Sequence, residues 1–203
     1  MLLKINPNNP EPTKITRVVE GLKNGEVIAY PTDTVYGLGC DIFNKKAVTR
    51  IYQIKQRNKK TPLSVLCSDF KQASKYAIIP DYVFKLIKKN LPGPYTFVLK
   101  ARSNMPKTIL SKNKTVGIRI PDNQICLELA ARLGSPIITT SLNISGQEVI
   151  TDLNDLDLEF KNKIDILIDS GPLTNEASTI IDFSQDQPQL IREGKGSLAP
   201  FNL

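Results

Sequence analysis

Apolar positions recur along this chain at two periods, one near 3.6 residues and one of two, and the changes between them mark out the elements. Ile15, Val18, Val19 and Leu22 lie at helical spacing and predict a helix over residues 13–25, with Gly25 as its stop. Val27 to Tyr30 is a short apolar run that ends at Pro31 and reads as a strand. Asn44 can cap a second helix carrying Ala47, Val48, Ile51 and Tyr52, and Pro80 opens a third with Val83, Leu86 and Ile87. Ile125, Leu129 and Leu133 form one face of a fourth helix over 123–133, ending at Gly134. Further strands are predicted at 62–67, 95–100, 115–120, 137–140, 164–169, 178–182 and 189–192. Several alternate, as in the run Thr115-Val116-Gly117-Ile118-Arg119-Ile120, and helices and strands follow one another without a regular βαβ period. The expected fold is α/β (α+β-like), a twisted, open, mixed sheet with flanking helices. One domain is expected over 1–203, with a core of about 14–196. The N-terminal dozen residues and the last few are read as peripheral.

Composition narrows the class. The 203 residues are 40% hydrophobic and 23% charged, the balance of a soluble globular chain. No apolar run approaches the roughly 20 residues that cross a bilayer. The start, MLLKINPNNPEP, is too polar and proline-rich for a signal peptide. A cytoplasmic protein without a membrane partner is expected. Cys40, Cys67 and Cys126 are far apart, odd in number and set among apolar residues, so buried packing is their expected role. With no histidine at all, Ser-His and Cys-His nucleophiles and His-ligated zinc are excluded. The net charge of +7 points to an anionic partner, either nucleic acid or a phosphorylated small molecule, or else to solubility alone.

Five segments could carry chemistry. Pro31-Thr32-Asp33-Thr34-Val35-Tyr36-Gly37-Leu38-Gly39 follows a strand and offers hydroxyls and backbone N–H groups to an anionic or amino-acid ligand, or is a polar turn. Lys55-Gln56-Arg57-Asn58-Lys59-Lys60 holds four cations in six residues. They can satisfy a helix C-terminus, but Lys55 and Arg57 on a non-helical stretch point the same way and suit a polyphosphate. Leu91-Pro92-Gly93-Pro94-Tyr95-Thr96 is a stiff turn that gives Thr96 a defined direction at a strand start. Arg119 inside an apolar strand must either meet a buried carboxylate or face a ligand-bearing cleft. The polar run Thr139-Thr140-Ser141-Leu142-Asn143-Ile144-Ser145-Gly146 leaves a strand, and Ser141 and Asn143 share one side if the chain stays extended. It can bind phosphate oxygens and a ribose, or close on its own backbone. Neither a G-x-x-x-x-G-K-[ST] loop nor a G-x-G-x-x-G after a strand occurs.

The order of these segments is specific. PTDTVYGLG, then KQR, PGPYT, VGIRIP, SLNISG, ASTIID and IREG together resemble the YrdC-like family of threonylcarbamoyl-AMP synthases in its single-domain form, close to the YciO branch. The match covers about residues 14–196. The resemblance implies a concave cleft and a nucleotidyltransferase reaction. L-threonine, bicarbonate and ATP give threonylcarbamoyl-AMP and pyrophosphate with Mg²⁺, and partner proteins then modify an adenosine of tRNA. It implies that Thr34 contacts the threonine and that Lys55 and Arg57 hold ATP phosphates and carry the catalysis. Thr96 and Arg119 would help hold nucleotide and amino acid, with Arg119 pairing the threonine carboxylate. Ser141 and Asn143 would line the phosphate and carbamate region, Ser178 would approach the amino acid and Arg192 the nucleotide. The carbamate is itself the nucleophile, so positioning and charge neutralisation suffice without a histidine.

Two positions depart from the family pattern. Leu66 and Asn123 stand where histidines are usual, and the first of these lies near the amino acid in the family. Two alternatives follow. One is a related ATP-dependent carbamoyl-adenylating enzyme with a different amine. The other is a double-stranded RNA or tRNA binding protein of the same fold, using Lys59, Lys60, Lys85, Lys88 and Lys89. A concave basic cleft lined by Lys55, Arg57, Arg119 and Ser141 would favour the small-molecule readings, and a flat basic face would favour RNA.

Overall fold

The computed structural model describes every residue except Lys59, Lys60 and Asp186, so two lysines of the expected cationic run lie outside the described residues. In chain order the strands are β1 (Leu2–Lys4), β2 (Ile28–Tyr30), β3 (Gly37–Gly39), β4 (Ser64–Leu66), β5 (Ala77–Ile78), β6 (Tyr95–Ala101), β7 (Thr115–Arg119), β8 (Ile137–Ser141), β9 (Ile166–Asp169), β10 (Thr179–Asp182) and β11 (Gln189–Arg192). The helices are α1 (Pro12–Lys23), α2 (Lys45–Ile54), α3 (Phe70–Tyr76), α4 (Asp81–Asn90), α5 (Gln124–Leu133) and α6 (Leu158–Lys161). Local chemistry sets the helix ends. The side chains of Asn44 and Asn123 accept the N–H groups of Ala47 and Cys126 at 3.0 and 3.1 Å, and Gly134 takes a left-handed φ of 79° after α5.

All the strands join one eleven-stranded mixed sheet in the order β1-β9-β2-β3-β8-β4-β7-β6-β10-β11, with β5 on the side of β6. β1/β9, β2/β9, β4/β7 and β6/β10 pair in parallel, and the other pairs run antiparallel. The expected mixed sheet with flanking helices is the observed one.

The period-two alternation divides the residues between two sides. Ala29, Leu38, Val65, Phe97, Leu99, Ile118, Ile138 and Ile181 enter the larger core, with Ala47, Val48 and Ile51 of α2 and Val83 and Ile87 of α4. The other face is covered over only part of its width. There Ile28, Tyr30, Leu66, Ile137, Ile166 and Ile168 meet Ile15, Val18 and Leu22 of α1 and Ile125 and Leu129 of α5. Each fully buried Ile or Leu contributes about 1.5–3 kcal/mol of transfer free energy, enough to hold two amphipathic helices on a sheet. Beyond the two helices the strands carry the small or polar Ser64, Thr96, Thr115, Gly117 and Thr139 beside the apolar Val98 and Ile180, and this part of the face forms a cleft.

Four expectations need correction. The N-terminus is not peripheral, because Leu2–Lys4 forms an edge strand paired with β9. Nor are the last residues, because Phe201 is buried in the larger core, 5.6 Å from the Phe97 ring and 5.4 Å from that of Tyr95. The PTDTVYGLG segment is not all loop. Its Gly37–Gly39 is β3, flanked by β2 and β8, and a Cβ on Gly39 would lie 2.3 Å from the Ile138 carbonyl, so only glycine fits there. The helix α3 carries too short an apolar pattern to have been expected, although the Asp69 side chain caps it by accepting the N–H of Gln72 at 2.6 Å.

Candidate functional site

A cavity of about 340 Å³ occupies the uncovered part of the sheet face, lined by Arg57, Ser64, Thr96, Gly117, Arg119, Ser141, Ser178 and Arg192 among others. A second, more open recess of about 400 Å³ is lined by Lys55, Arg57, Thr61, Ser141, Asn143, Ser145 and Gly146. Arg57 and Ser141 line both, so the two form one continuous depression.

Arg119 sits at the end of β7. Its Nη2 donates to Asp33 Oδ1 and Thr34 Oγ1, both at 2.6 Å, and to Thr32 Oγ1 at 3.1 Å. Both members of the ion pair are buried, with side chains 8% and 9% exposed. Arg119 Nε is a buried donor without a protein partner among the described residues. The strand arginine therefore does both of the things expected as alternatives. It meets a buried carboxylate, and it lines the cavity with donor capacity left over. The Asp33 carboxylate is itself placed by the backbone N–H of Asp122, which donates to Oδ2 at 3.1 Å.

Lys55 caps α2 at its C-terminal end and is only 2% exposed. Its Nζ donates to the Ser141 carbonyl at 2.7 Å and to Asn143 Oδ1 at 2.5 Å, while Ser141 Oγ donates to the same Oδ1 at 2.7 Å. Burial, and then the charge of Arg57, pull the Lys55 ammonium down to about 8. Gln56 takes a left-handed φ of 49°, which reverses the chain after the helix and lets Lys55 and Arg57 line the same recess. Arg57 is half-buried, and desolvation lowers its pKa as well.

On the other wall, Thr96 Oγ1 and Ser178 Oγ lie 2.9 Å apart. Arg192 donates from Nη2 and Nε to the Ser178 carbonyl at 2.7 and 3.1 Å. Its pKa is lowered first by burial and then by the charge of Arg119, so the two guanidiniums converge on one space. A depression with these cations and hydroxyl donors can bind a polyanion together with a carboxylate.

The sequence-derived residues Arg57, Thr96, Arg119, Ser141, Ser178 and Arg192 thus come together around the cavity, and Lys55 and Asn143 around the adjoining recess. Thr34 lines neither, and its hydroxyl instead accepts from Arg119. Leu66 does not face the cavity. It is fully buried in the smaller core, and Asn123 caps α5, so neither departure from the family pattern alters the lining. Lys85, Lys88 and Lys89 are exposed on α4, which packs through Val83 and Ile87 into the larger core, away from the cleft. The three cysteines are buried and unpaired, as expected. Sequence reasoning missed Ser64 and Gly117 on the cavity floor and Lys195, whose Nζ donates to the Asp33 carbonyl at 2.7 Å. A glycine within an apolar strand was the available signal for Gly117. No local signal marks Lys195. No helix among the described residues is long and apolar enough to cross a membrane.

Comparison with known proteins places this geometry. The Sua5_yciO_yrdC family model, described as telomere recombination, matches residues 20–194. The sequence is 38% identical to Escherichia coli YciO over 97% of both chains, and the crystal structure of that protein superposes with a TM-score of 0.94 over 99% of this chain and 98% of the other. Pyrococcus abyssi Sua5 complexed with L-threonine matches with a TM-score of 0.88 at 34% identity, over 96% of this chain and 57% of that one. The threonylcarbamoyl-AMP synthase of Vibrio vulnificus is 31% identical over 77% of this chain and 86% of its own. The chain belongs to the Sua5/YciO/YrdC family.

Proposed function

We propose that this protein is a nucleotidyltransferase that forms threonylcarbamoyl-AMP and pyrophosphate from L-threonine, bicarbonate and ATP, as a step towards threonylcarbamoyladenosine in tRNA. The observation that carries this reading is the convergence of Lys55, Arg57, Arg119 and Arg192 on one hydroxyl-lined depression in a protein without histidine. Relatives named threonylcarbamoyl-AMP synthase, and a family member crystallised with L-threonine, support it.

In this reading the threonine amine and bicarbonate condense to a carbamate with loss of water. A carbamate oxygen then bonds to the α-phosphorus of ATP as the bond from that phosphorus to the bridging oxygen of pyrophosphate breaks. The protein supplies position and charge rather than a base. Arg119, which lines the cavity while its Nη2 is held by Thr32, Asp33 and Thr34, suits the threonine carboxylate with its remaining donors, and Thr34 acts on the substrate through Arg119. Thr96 and Ser178 present hydroxyls to the amino acid, and Arg192 is available to the nucleotide. Lys55 and Arg57 neutralise the charge that develops on the leaving pyrophosphate, and Ser141 and Asn143 hold Lys55 there. Among the described residues no group of three or more Asp, Glu, Cys or His side chains could hold a metal ion. Mg²⁺ fits this donor set as a complex with the ATP phosphates, the usual manner for nucleotide substrates.

The concave arrangement supports a small-molecule substrate over a flat RNA-binding face. The burial of Leu66 outside the cavity lining supports threonine over a different amine. Pyrophosphate release from ATP and bicarbonate, measured with and without L-threonine, tests the reading. Threonine-dependent release that Arg57→Ala lowers by at least about 10²-fold is expected. Release independent of threonine, or near-normal release from Arg57→Ala, would overturn it. RNA binding with a steep salt dependence and no ATP turnover would favour the RNA reading instead.

A further inference from the structure

The stretch after β11 is fitted closely against the start of β10. The Lys195 N–H donates to the Ala177 carbonyl at 2.9 Å, the Gly194 N–H to Thr179 Oγ1 at 3.1 Å, and Thr179 Oγ1 to the Gly196 carbonyl at 2.7 Å. Both flanking glycines are required by contact. A Cβ on Gly194 would lie 2.2 Å from the Ala177 carbonyl, and one on Gly196 would lie 2.3 Å from the Tyr95 ring. A backbone held this closely gives its side chains fixed directions. Arg192 reaches Ser178 on one wall of the cavity. Lys195 reaches across 162 residues of sequence to the Asp33 carbonyl at 2.7 Å, in the segment opposite. Asp33 is also the residue that grips Arg119, at 2.6 Å, and the N–H of Asp122, at 3.1 Å.

We infer that Lys195 is a positioning residue, a latch that ties the strap of residues 192–196 to the 31–36 segment and so fixes the Asp33–Arg119 pair for the amino-acid substrate. The role in substrate affinity rests on the function proposed above, whereas the latch itself does not. Lys195 is exposed and its side chain lines neither recess, so it acts through Asp33 and not on the reacting atoms. Because its acceptor is a main-chain carbonyl, the contact does not depend on the Asp33 side chain. Removing the ammonium loosens the backbone that carries the Asp33 carboxylate without removing the carboxylate itself.

Hydrogen exchange of the full-length protein, followed at residues 32–36, tests the latch directly. Lys195→Ala should raise exchange there by about tenfold, as expected for loss of one charge-assisted hydrogen bond, with the sheet core unaffected. In the threonine-dependent assay the same variant should raise the KM for threonine by about tenfold and change kcat by less than about twofold. Lys195→Arg, which keeps a cationic donor, should recover most of both effects. Wild-type exchange at 32–36 in Lys195→Ala would overturn the latch. Raised exchange with an unchanged threonine KM would overturn its positioning role. A wild-type protein without threonine-dependent turnover would sink the proposed function, while the exchange experiment would still decide the latch.

Discussion

Arg119 and Asp33 meet at 2.6 Å although 86 residues separate them in the chain, and both side chains are nearly excluded from solvent. Truncating one member of such a pair leaves the other charge buried without compensation, which costs about 3–5 kcal/mol. Here Thr32 and Thr34 still accept from Arg119, which places the loss at the lower end. Asp33→Ala is expected to lower the unfolding free energy by about 3 kcal/mol, and Asp33→Asn, which keeps an acceptor, by about half of that. Urea denaturation of the two variants checks this. A loss under about 0.5 kcal/mol for both would mean that Arg119 is already satisfied elsewhere.

Lys55 gives the site a dependence on pH. Its folded-state pKa of about 8 lies below the ordinary value of 10.5. Below pH 8 the lysine is charged in both folded and unfolded chains, and folding carries the full cost of burying that charge. As pH rises from about 8 to 10.5 only the unfolded chain stays protonated, so Lys55 contributes increasing stability across that window. A polyphosphate beside Nζ favours the charged form and raises the pKa again. ATP binding at pH 8.5 should therefore draw in about 0.7 proton per site, read by calorimetry in buffers of different ionisation heat. Lys55→Met should bind ATP more weakly and without that uptake. Equal uptake by both proteins would mean that the proton goes elsewhere.

Phe201 is followed by only two residues of the sequence, yet its ring packs against those of Tyr95, Phe97 and Phe183 at 5.4, 5.6 and 6.1 Å. Phe201→Ala should cost about 3–5 kcal/mol, the range for a buried aromatic removed from a core. A change in midpoint without a change in denaturant slope would identify a packing loss and not an altered denatured state.

What the sequence disclosed and what it withheld divide along physical lines. Periodicity gave the four longer helices, because burial of Ile15, Val18 and Leu22, or of Ile125 and Leu129, enforces helical spacing over several turns. It gave most strands through their alternation. It could not give β1, three residues whose partner β9 is far away in sequence, or β3, whose Gly37-Leu38-Gly39 carries a single apolar side chain. In the site, Arg119 was legible because a charge in an apolar strand demands a partner, and the candidate Asp33 was already within view. Lys195 was not, because an exposed lysine in a polar stretch resembles any other until folding brings a carbonyl to it from 162 residues away. Leu66 was visible as a departure from the family pattern, but its facing was not. Ser64 and Leu66 alternate onto the same side of β4, yet the first lines the cavity while the second lies under α5.

That difference in facing makes Leu66→His a decisive substitution. If the leucine merely occupied a vacant substrate-contacting position, restoring the family's histidine would strengthen threonine binding at little cost. Leu66 is instead fully buried among Tyr30, Ile125, Cys126 and Ile137. An imidazole there loses apolar contacts and buries polar atoms, and we expect a loss of about 2–4 kcal/mol. Burial also lowers the imidazole's folded-state pKa below its unfolded value of about 6.5. The unfolded chain would then bind a proton that the folded chain refuses, so stability should fall further as pH drops through about 6.5. The wild-type chain has no histidine, so this steepening would belong to the new side chain alone, and its single imidazole resonance would report the pKa directly by NMR. A histidine that titrates near 6.5, costs little stability and lowers the threonine KM would mean that the position opens to the cavity after all.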